Sequence, residues 1–257
     1  MSDEIDPRKL FRLDDRVAVV TGASSGLGMR FGRALHAAGA HVVLAARRAH
    51  RIEALAKELG RARAVPTDVT NAADLERLVA STLDRYGRID VLVNNAGIAG
   101  AVSAEDEPME HFRGVVEVNL MAKFALTQLV ARVMLRQGRG SIINVASVLG
   151  LVASGQIPQA SYSASKGGLI HLTRELAAQW ARRGIRVNAI APGWFPSEMT
   201  ESMFADERAL RWMRRNTPMG RTGETHELDG VLLFLASDAS SYVTGQTIAV
   251  DGGWVAV

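Results

Sequence analysis

The chain has 257 residues, 47% of them hydrophobic, and a formal net charge of +3 from 30 basic and 27 acidic side chains. That length and apolar share can bury one large core, and the interspersed charges exclude the clustered basic face that nucleic-acid phosphates require. The absence of cysteine excludes disulfides, thiolate metal ligands and a cysteine nucleophile.

The start, Met1-Ser2-Asp3-Glu4-Ile5-Asp6-Pro7-Arg8, has no apolar core of a signal sequence, and no apolar run reaches bilayer-spanning length, so a soluble cytoplasmic protein is expected. No linker or solenoid repeat interrupts the chain. Residues 1–15 are expected to form an N-terminal extension and 16–257 a single domain.

The first predicted strand, 16–20, runs into Thr21-Gly22-Ala23-Ser24-Ser25-Gly26-Leu27-Gly28 and then into a helical pattern over 30–38. Glycines where a strand turns into a helix let a pyrophosphate approach the backbone N–H groups and the positive end of the helix dipole. A structural turn with a glycine helix cap carries the same signature, so corroboration has to come from further along the chain. The second strand, 41–45, ends in Ala46-Arg47-Arg48. An acidic residue there would bind the 2′-hydroxyl of NAD. Its replacement by guanidinium groups favours the 2′-phosphate of NADP(H).

Further strands are predicted at 64–67, 91–94, 141–145, 186–190 and 247–250. The clearest helical patterns fall at 52–59, 72–86, 120–136, 163–182 and 225–236. The alternation specifies an α/β fold: a doubly wound, Rossmann-like parallel sheet of about seven strands with helices on both faces. Asp68 after the third strand and Asn94-Asn95-Ala96-Gly97 at the end of the fourth then share the carboxyl edge with the glycine loop. Asp68 could accept from the adenine amino group there, and Ala96-Gly97 would let a cofactor lie close to the backbone.

Tyr162 and Lys166, four residues apart, share a helix face. A unit charge at ~4 Å in an effective dielectric of ~20 is worth about 4 kcal/mol, or roughly three pKa units, which would bring the phenol of Tyr162 toward physiological pH. Ser147 closes the fifth strand, and Asn119 begins the long helix before it. Together these residues supply a donor, an acid/base and a cation around one substrate oxygen. His36, His41, His50, His111, His171 and His226 are dispersed without ligand spacing, so no metal is expected.

In motif order the chain resembles the short-chain dehydrogenase/reductase family, in its compact single-domain branch, from about Arg16 to Gly253. The features that carry the resemblance are the glycine loop, the Asn-Asn-Ala-Gly turn, the Ser/Tyr/Lys set, Pro192-Gly193, and Tyr242-Val243-Thr244-Gly245-Gln246 with Asp251-Gly252-Gly253. The resemblance implies a catalytic tetrad of Asn119, Ser147, Tyr162 and Lys166. Tyr162 is then the general acid/base, Ser147 orients the substrate oxygen, Lys166 binds the nicotinamide ribose, and Asn119 holds a relay water. It implies cofactor contacts at Gly22, Ser24, Ser25, Leu27, Arg47, Asp68, Val69, Asn95, Gly97, Phe195 and Ser197, and a homotetramer.

Three departures are visible. The stretch from Ser147 to Tyr162 is about two residues longer than is usual in the family, Ser25 stands where many NADP-using members carry a basic residue, and Ser197 replaces a commoner threonine. A substrate lid is expected at about 194–218, where Trp194, Phe195, Met199, Met203, Phe204, Trp212 and Met213 suggest an apolar substrate. Arg208, Arg211 and Arg215 could share a helical face, either solvated or gripping a carrier phosphate. The expected activity is NADPH-dependent reduction of a small, largely apolar ketone, or the reverse oxidation of a secondary alcohol. Alternatives are a 3-oxoacyl thioester reductase, a sugar or gluconate dehydrogenase, and a non-catalytic NADP-sensing module.

Overall fold

The structure, a computed structural model, describes residues 6–257. After a short helix α1 (Pro7–Leu10), strands and helices alternate: β1 (Val17–Thr21), α2 (Gly26–Ala37), β2 (His41–Ala46), α3 (Ala49–Leu59), β3 (Ala62–Pro66), α4 (Ala72–Tyr86) and β4 (Val91–Asn94). Next come α5 (Met109–Val116), a π-helical turn at Glu117–Met121, α6 (Ala122–Gln137), β5 (Gly140–Val145), α7 (Ala160–Trp180) and β6 (Ile185–Pro192). The chain then forms α8 (Glu201–Ala205), α9 (Glu207–Asn216), α10 (Asp229–Ala236) and β7 (Thr247–Val250).

All seven strands are parallel, in the order β3-β2-β1-β4-β5-β6-β7. Alternate residues of each strand feed opposite layers, as the twofold strand period requires. Val17, Val19, Val43 and Ala45 pack with Leu78, Leu126, Val130, Met134 and Leu176 on one side. Ala18, Val20, Val42 and Leu44 pack with Phe31, Leu35, Ile52, Leu232 and Leu235 on the other. Strand order reverses between β1 and β4, so the carboxyl ends of these two strands open a crevice, the usual ligand position in such a sheet.

Two expectations change. Asn119 does not start a helix: it sits in the π-turn within a continuous helical stretch that begins at Met109. That stretch, Met109–Gln137, is long and apolar enough to cross a membrane by length and composition, contrary to the sequence expectation, and half of its most apolar window is buried inside the protein. The inner end of the extension packs on the domain. Leu13 is fully buried, and its N–H donates to Ala38 O at 2.8 Å. Residues 1–5 of the extension lie outside the described residues.

Candidate active site

A cleft of about 810 Å³ runs along the carboxyl edge of the sheet, a size suited to a small-molecule ligand. Gly22, Ser24, Ser25, Leu27, Arg47, Arg48, Asp68, Val69, Asn95, Gly97, Ser147, Tyr162, Lys166, Phe195 and Ser197 all line it. Of the predicted site residues only Asn119 lies behind its wall.

At one end, α2 begins with N–H groups that no side chain caps and has no acidic residue in its first turn. By contrast, Asn71 caps α4 and Asp206 caps α9. The free N–H groups and the helix dipole make the start of α2 an anion site. The glycines that shape it serve the chain as well as a ligand. A Cβ at Gly28 would lie 2.2 Å from Gly22 O, and one at Gly22, where φ is +67°, would lie 2.8 Å from Ala96 Cα. Asn95 completes this junction, donating from Nδ2 to Thr21 O at 2.9 Å, while Thr21 Oγ1 accepts from the N–H groups of Asn95 and Ala96. The Gly22 and Gly28 positions thus weld β1 to β4. Only Gly26 faces the opposite wall, where a Cβ would meet Ser197 Cβ at 3.2 Å.

Arg47 is exposed at the cleft rim, whereas Arg48 folds back over the loop. Its Nη2 donates to Ser24 Oγ at 2.9 Å and Ser25 Oγ at 2.7 Å, so Arg48 brings a cation to the loop where Ser25 lacks one. The same guanidinium forks onto Glu198, which Arg51 also binds. Neither Glu198 nor Arg51 was singled out in the sequence. Hydrogen bonding from Arg48, Ser25 and Arg51 pushes the Glu198 carboxyl down to about 2. Asp68 accepts from the N–H and hydroxyl of Thr70, which holds its carboxyl below the usual range.

At the other end of the cleft, Ser147 follows β5, and its Oγ accepts from Leu149 N–H at 3.2 Å. Tyr162 and Lys166 project from the first turns of α7, 9% and 3% exposed. Lys166 Nζ stands 5.3 Å from the centroid of the Tyr162 ring and donates to Val145 O at 2.9 Å. Lys166 does not tune the phenol downward from this position. Burial raises it above 10, offset only in part by a hydrogen bond with Ser147. Burial also pushes Lys166 down to about 8.

A second buried amine lies beside Lys166. Lys123, on α6, donates from Nζ to the carbonyls of Asn94 at 3.0 Å and Val145 at 3.1 Å, so it shares the Val145 carbonyl with Lys166. Desolvation and the Lys166 charge drive Lys123 well below its ordinary value. A lysine four residues beyond Asn119 is legible in the sequence as a same-face neighbour. Asn119 itself is fully buried. Its Oδ1 accepts from Ile98 N–H at 2.9 Å, and its Nδ2 donates to Ile98 O at 2.9 Å and Ser165 Oγ at 3.1 Å. Its side chain is thus committed to protein partners, tying the wall at Ile98 to α7.

The lid region forms α8 and α9 and is packed down. Trp194, Trp212 and Trp254 meet edge to face, with centroids 5.1 to 5.8 Å apart, and Met213 is fully buried. Val148, Leu149, Trp194 and Ile157 continue this apolar cluster around Tyr162. The lengthened loop is stapled rather than loose: Val102 pairs with Gln159, and Glu107 accepts from Ser161 N–H and from His111. Arg208, Arg211 and Arg215 are exposed, and Arg211 is 3.8 Å from Glu207.

The family described as enoyl-(acyl carrier protein) reductase matches residues 22–255. A galactitol 2-dehydrogenase (L-tagatose-forming) from Cereibacter sphaeroides is 42% identical over 97% of this chain and 99% of its own. A 3-oxoacyl-[acyl-carrier-protein] reductase from Synechocystis sp. is also 42% identical, over 95% and 98%. The solved gluconate 5-dehydrogenase from Burkholderia cenocepacia J2315, in complex with NADP and tartrate, superposes with a TM-score of 0.94 at 37% identity, covering 98% of this chain and 100% of that one. Two further solved relatives hold NADP as well. From the family match, the full-length relatives and a fold shared to this degree, the chain belongs to the short-chain dehydrogenase/reductases, NAD(P)-dependent oxidoreductases acting on CH–OH and C=O groups.

Proposed function

We propose that the protein interconverts an uncharged, largely apolar ketone and its secondary alcohol with NADP(H), and that Ser147, Tyr162, Lys166 and Asn119 are its catalytic set. The observation that carries this reading is the convergence of Ser147, Tyr162 and Lys166 at one end of a cleft whose other end is the uncapped start of α2. When bound, the nicotinamide supplies or accepts the hydride. In reduction, Ser147 Oγ donates a hydrogen bond to the substrate oxygen, and Tyr162 delivers the proton that completes the alcohol. A phenol raised by burial holds that proton throughout the neutral range, which suits the reducing direction. Lys166 binds the nicotinamide ribose, and Asn119 fixes the wall behind it.

Tyr162 belongs to an apolar cluster that includes Val148, Leu149, Ile157 and Trp194. The cations that line the cleft are Arg47, Arg48 and Lys166, of which the arginines lie at the far end. Beside Tyr162 the lining cation is Lys166, which this reading assigns to the nicotinamide ribose, so a substrate carboxylate such as gluconate finds no further cation there. The galactitol dehydrogenase relative favours a second reading, oxidation of an uncharged polyol. A 3-oxoacyl thioester has less support, because the arginines of α9 face solvent and lie outside the cleft. For cofactor choice, Arg47, Arg48, Ser24 and Ser25 provide the donors a 2′-phosphate needs. A homotetramer fits the one-sided pairing of the edge strand β7 and the exposure of Met121 and Phe124 on the long helix, 56% and 36%.

Turnover of purified protein with NADPH and NADH against ketones, 3-oxoesters, an acetoacetyl thioester and, in reverse, secondary alcohols, polyols and gluconate tests this. Ketone reduction with higher kcat/KM for NADPH supports it. Preference for NADH, or turnover confined to gluconate, overturns it.

A further inference from the structure

Glu198 stands out as a carboxylate in a place where the cofactor reading calls for cations. It lies on the stretch between β6 and α8, about 150 residues in sequence from Arg48, yet both its oxygens are engaged by Arg48: Nη1 donates to Oε1 at 3.1 Å and Nη2 to Oε2 at 2.7 Å. Arg51 donates to Oε1 from the next turn of α3. The Arg48 guanidinium that grips Glu198 also covers Ser24 and Ser25. The neighbouring residue Ser197 approaches Gly26 so closely that a Cβ on that glycine would be 3.2 Å from Ser197 Cβ. The two walls of the cleft are thus fastened together across the anion site by one carboxylate held between two guanidinium groups.

We propose that Glu198 is an internal competitor for the 2′-phosphate: it occupies the Arg48 fork until the cofactor's phosphate displaces it, and so helps set the choice between NADP and NAD and holds residues 197–200 against the glycine loop in the free protein. This rests on the NADP reading above. The chemistry is an exchange of anions on one cation. A guanidinium presents a planar fork that suits carboxylate and phosphate alike, and a dianionic phosphate with Arg47 also at hand outbids a single carboxylate. Glu198 remains an anion at every pH at which the protein would be assayed, since its carboxyl sits at about 2. NAD carries no group for the fork, so the clasp need not open for NAD. The affinity difference between the two cofactors is therefore reduced by whatever the clasp is worth.

The test is calorimetric titration of NADP+, NAD+ and the fragment 2′,5′-ADP into wild type, Glu198→Gln and Arg51→Gln. Exposed ion pairs are individually weak, and a tenfold change corresponds to about 1.4 kcal/mol. Glu198→Gln is therefore expected to tighten NADP+ and 2′,5′-ADP roughly three- to tenfold, with NAD+ moving less than about twofold. Arg51→Gln, which loosens the clasp without touching Ser24 or Ser25, moves NADP+ the same way by a smaller factor. In parallel, 2′,5′-ADP is expected to speed protease cleavage around residues 197–206 in wild type and to have no further effect in Glu198→Gln. If wild type binds NAD+ more tightly than NADP+, the cofactor reading fails and the clasp with it. If wild type prefers NADP+ but Glu198→Gln leaves the ratio unchanged, or weakens both cofactors alike, only the clasp is refuted.

Discussion

The paired lysines under the active site make the folding stability depend on pH in a direction opposite to the usual surface lysine. Burial pushes Lys166 down to about 8 from an ordinary value of 10.5. Between those values the unfolded chain holds a proton that the folded chain has released, so unfolding takes one up and stability rises with pH. Below about pH 8 both states are protonated, and the folded state carries the full cost of the buried charge. Above the ordinary value both are neutral and that cost has gone. A difference of about 2.5 units at 1.36 kcal/mol each gives roughly 3 kcal/mol gained across this window. Lys123, depressed by burial and by Lys166, acts in the same direction. Urea unfolding of wild type and Lys166→Met from about pH 8 to about pH 10 isolates the effect, because groups common to both proteins cancel in the difference. The wild-type curve is expected to climb relative to the variant by about 2–3 kcal/mol. Parallel curves would show that Lys166 keeps an ordinary pKa and that the crowding at Val145 O has no electrostatic consequence.

Tyr162→Phe removes one hydroxyl proton and little volume, so NADPH binding should persist while kcat falls at least about 100-fold; near-wild-type kcat in the ketone assay would remove Tyr162 from the mechanism. Gly28→Ala places a methyl 2.2 Å from the Gly22 carbonyl oxygen. It should cost about 1–3 kcal/mol in thermal or urea unfolding even without cofactor, and a variant as stable as wild type would contradict the weld between β1 and β4. Trp212→Ala breaks two of the three edge-to-face contacts that hold α9 down. It should raise KM for apolar ketones and hasten proteolysis within residues 200–216, with NADPH affinity unchanged; unchanged KM and unchanged cleavage would mean that the lid is held elsewhere.

The central strands were legible because they are short, largely β-branched runs buried on both faces, as Val17 to Val20 illustrates, whereas the edge strands β3 and β7 are only partly buried. The short helix before the π-turn was not. α5 is only 8 residues long, shorter than the window over which a helical period can be read. The site positions were legible from motif order, yet two physical roles were misjudged. Gly22 and Gly28 were read as room for a phosphate, whereas the backbone and side chain of the Asn95-Ala96 turn fill that room. Lys166 was expected to lower the Tyr162 phenol, but burial, which a sequence does not reveal, outweighs a cation placed over the ring rather than at the oxygen. Glu198 could not have been found. Its partners lie on α3, and nothing local to the Ser197-Glu198-Met199 stretch announces them.

The junction of Thr21, Gly22, Gly28 and Asn95 has a thermodynamic consequence. Because a neighbouring strand end gives the glycine loop its curvature, the loop is rigid before any dinucleotide arrives, and association does not have to bear the entropy of organising it. Calorimetry of cofactor binding should then give a heat-capacity change that reflects buried ligand surface alone, without the larger negative value of coupled folding. Variants of Asn95 and Thr21 would then change affinity for both cofactors alike, because these residues shape the receptor without competing for the ligand's charge.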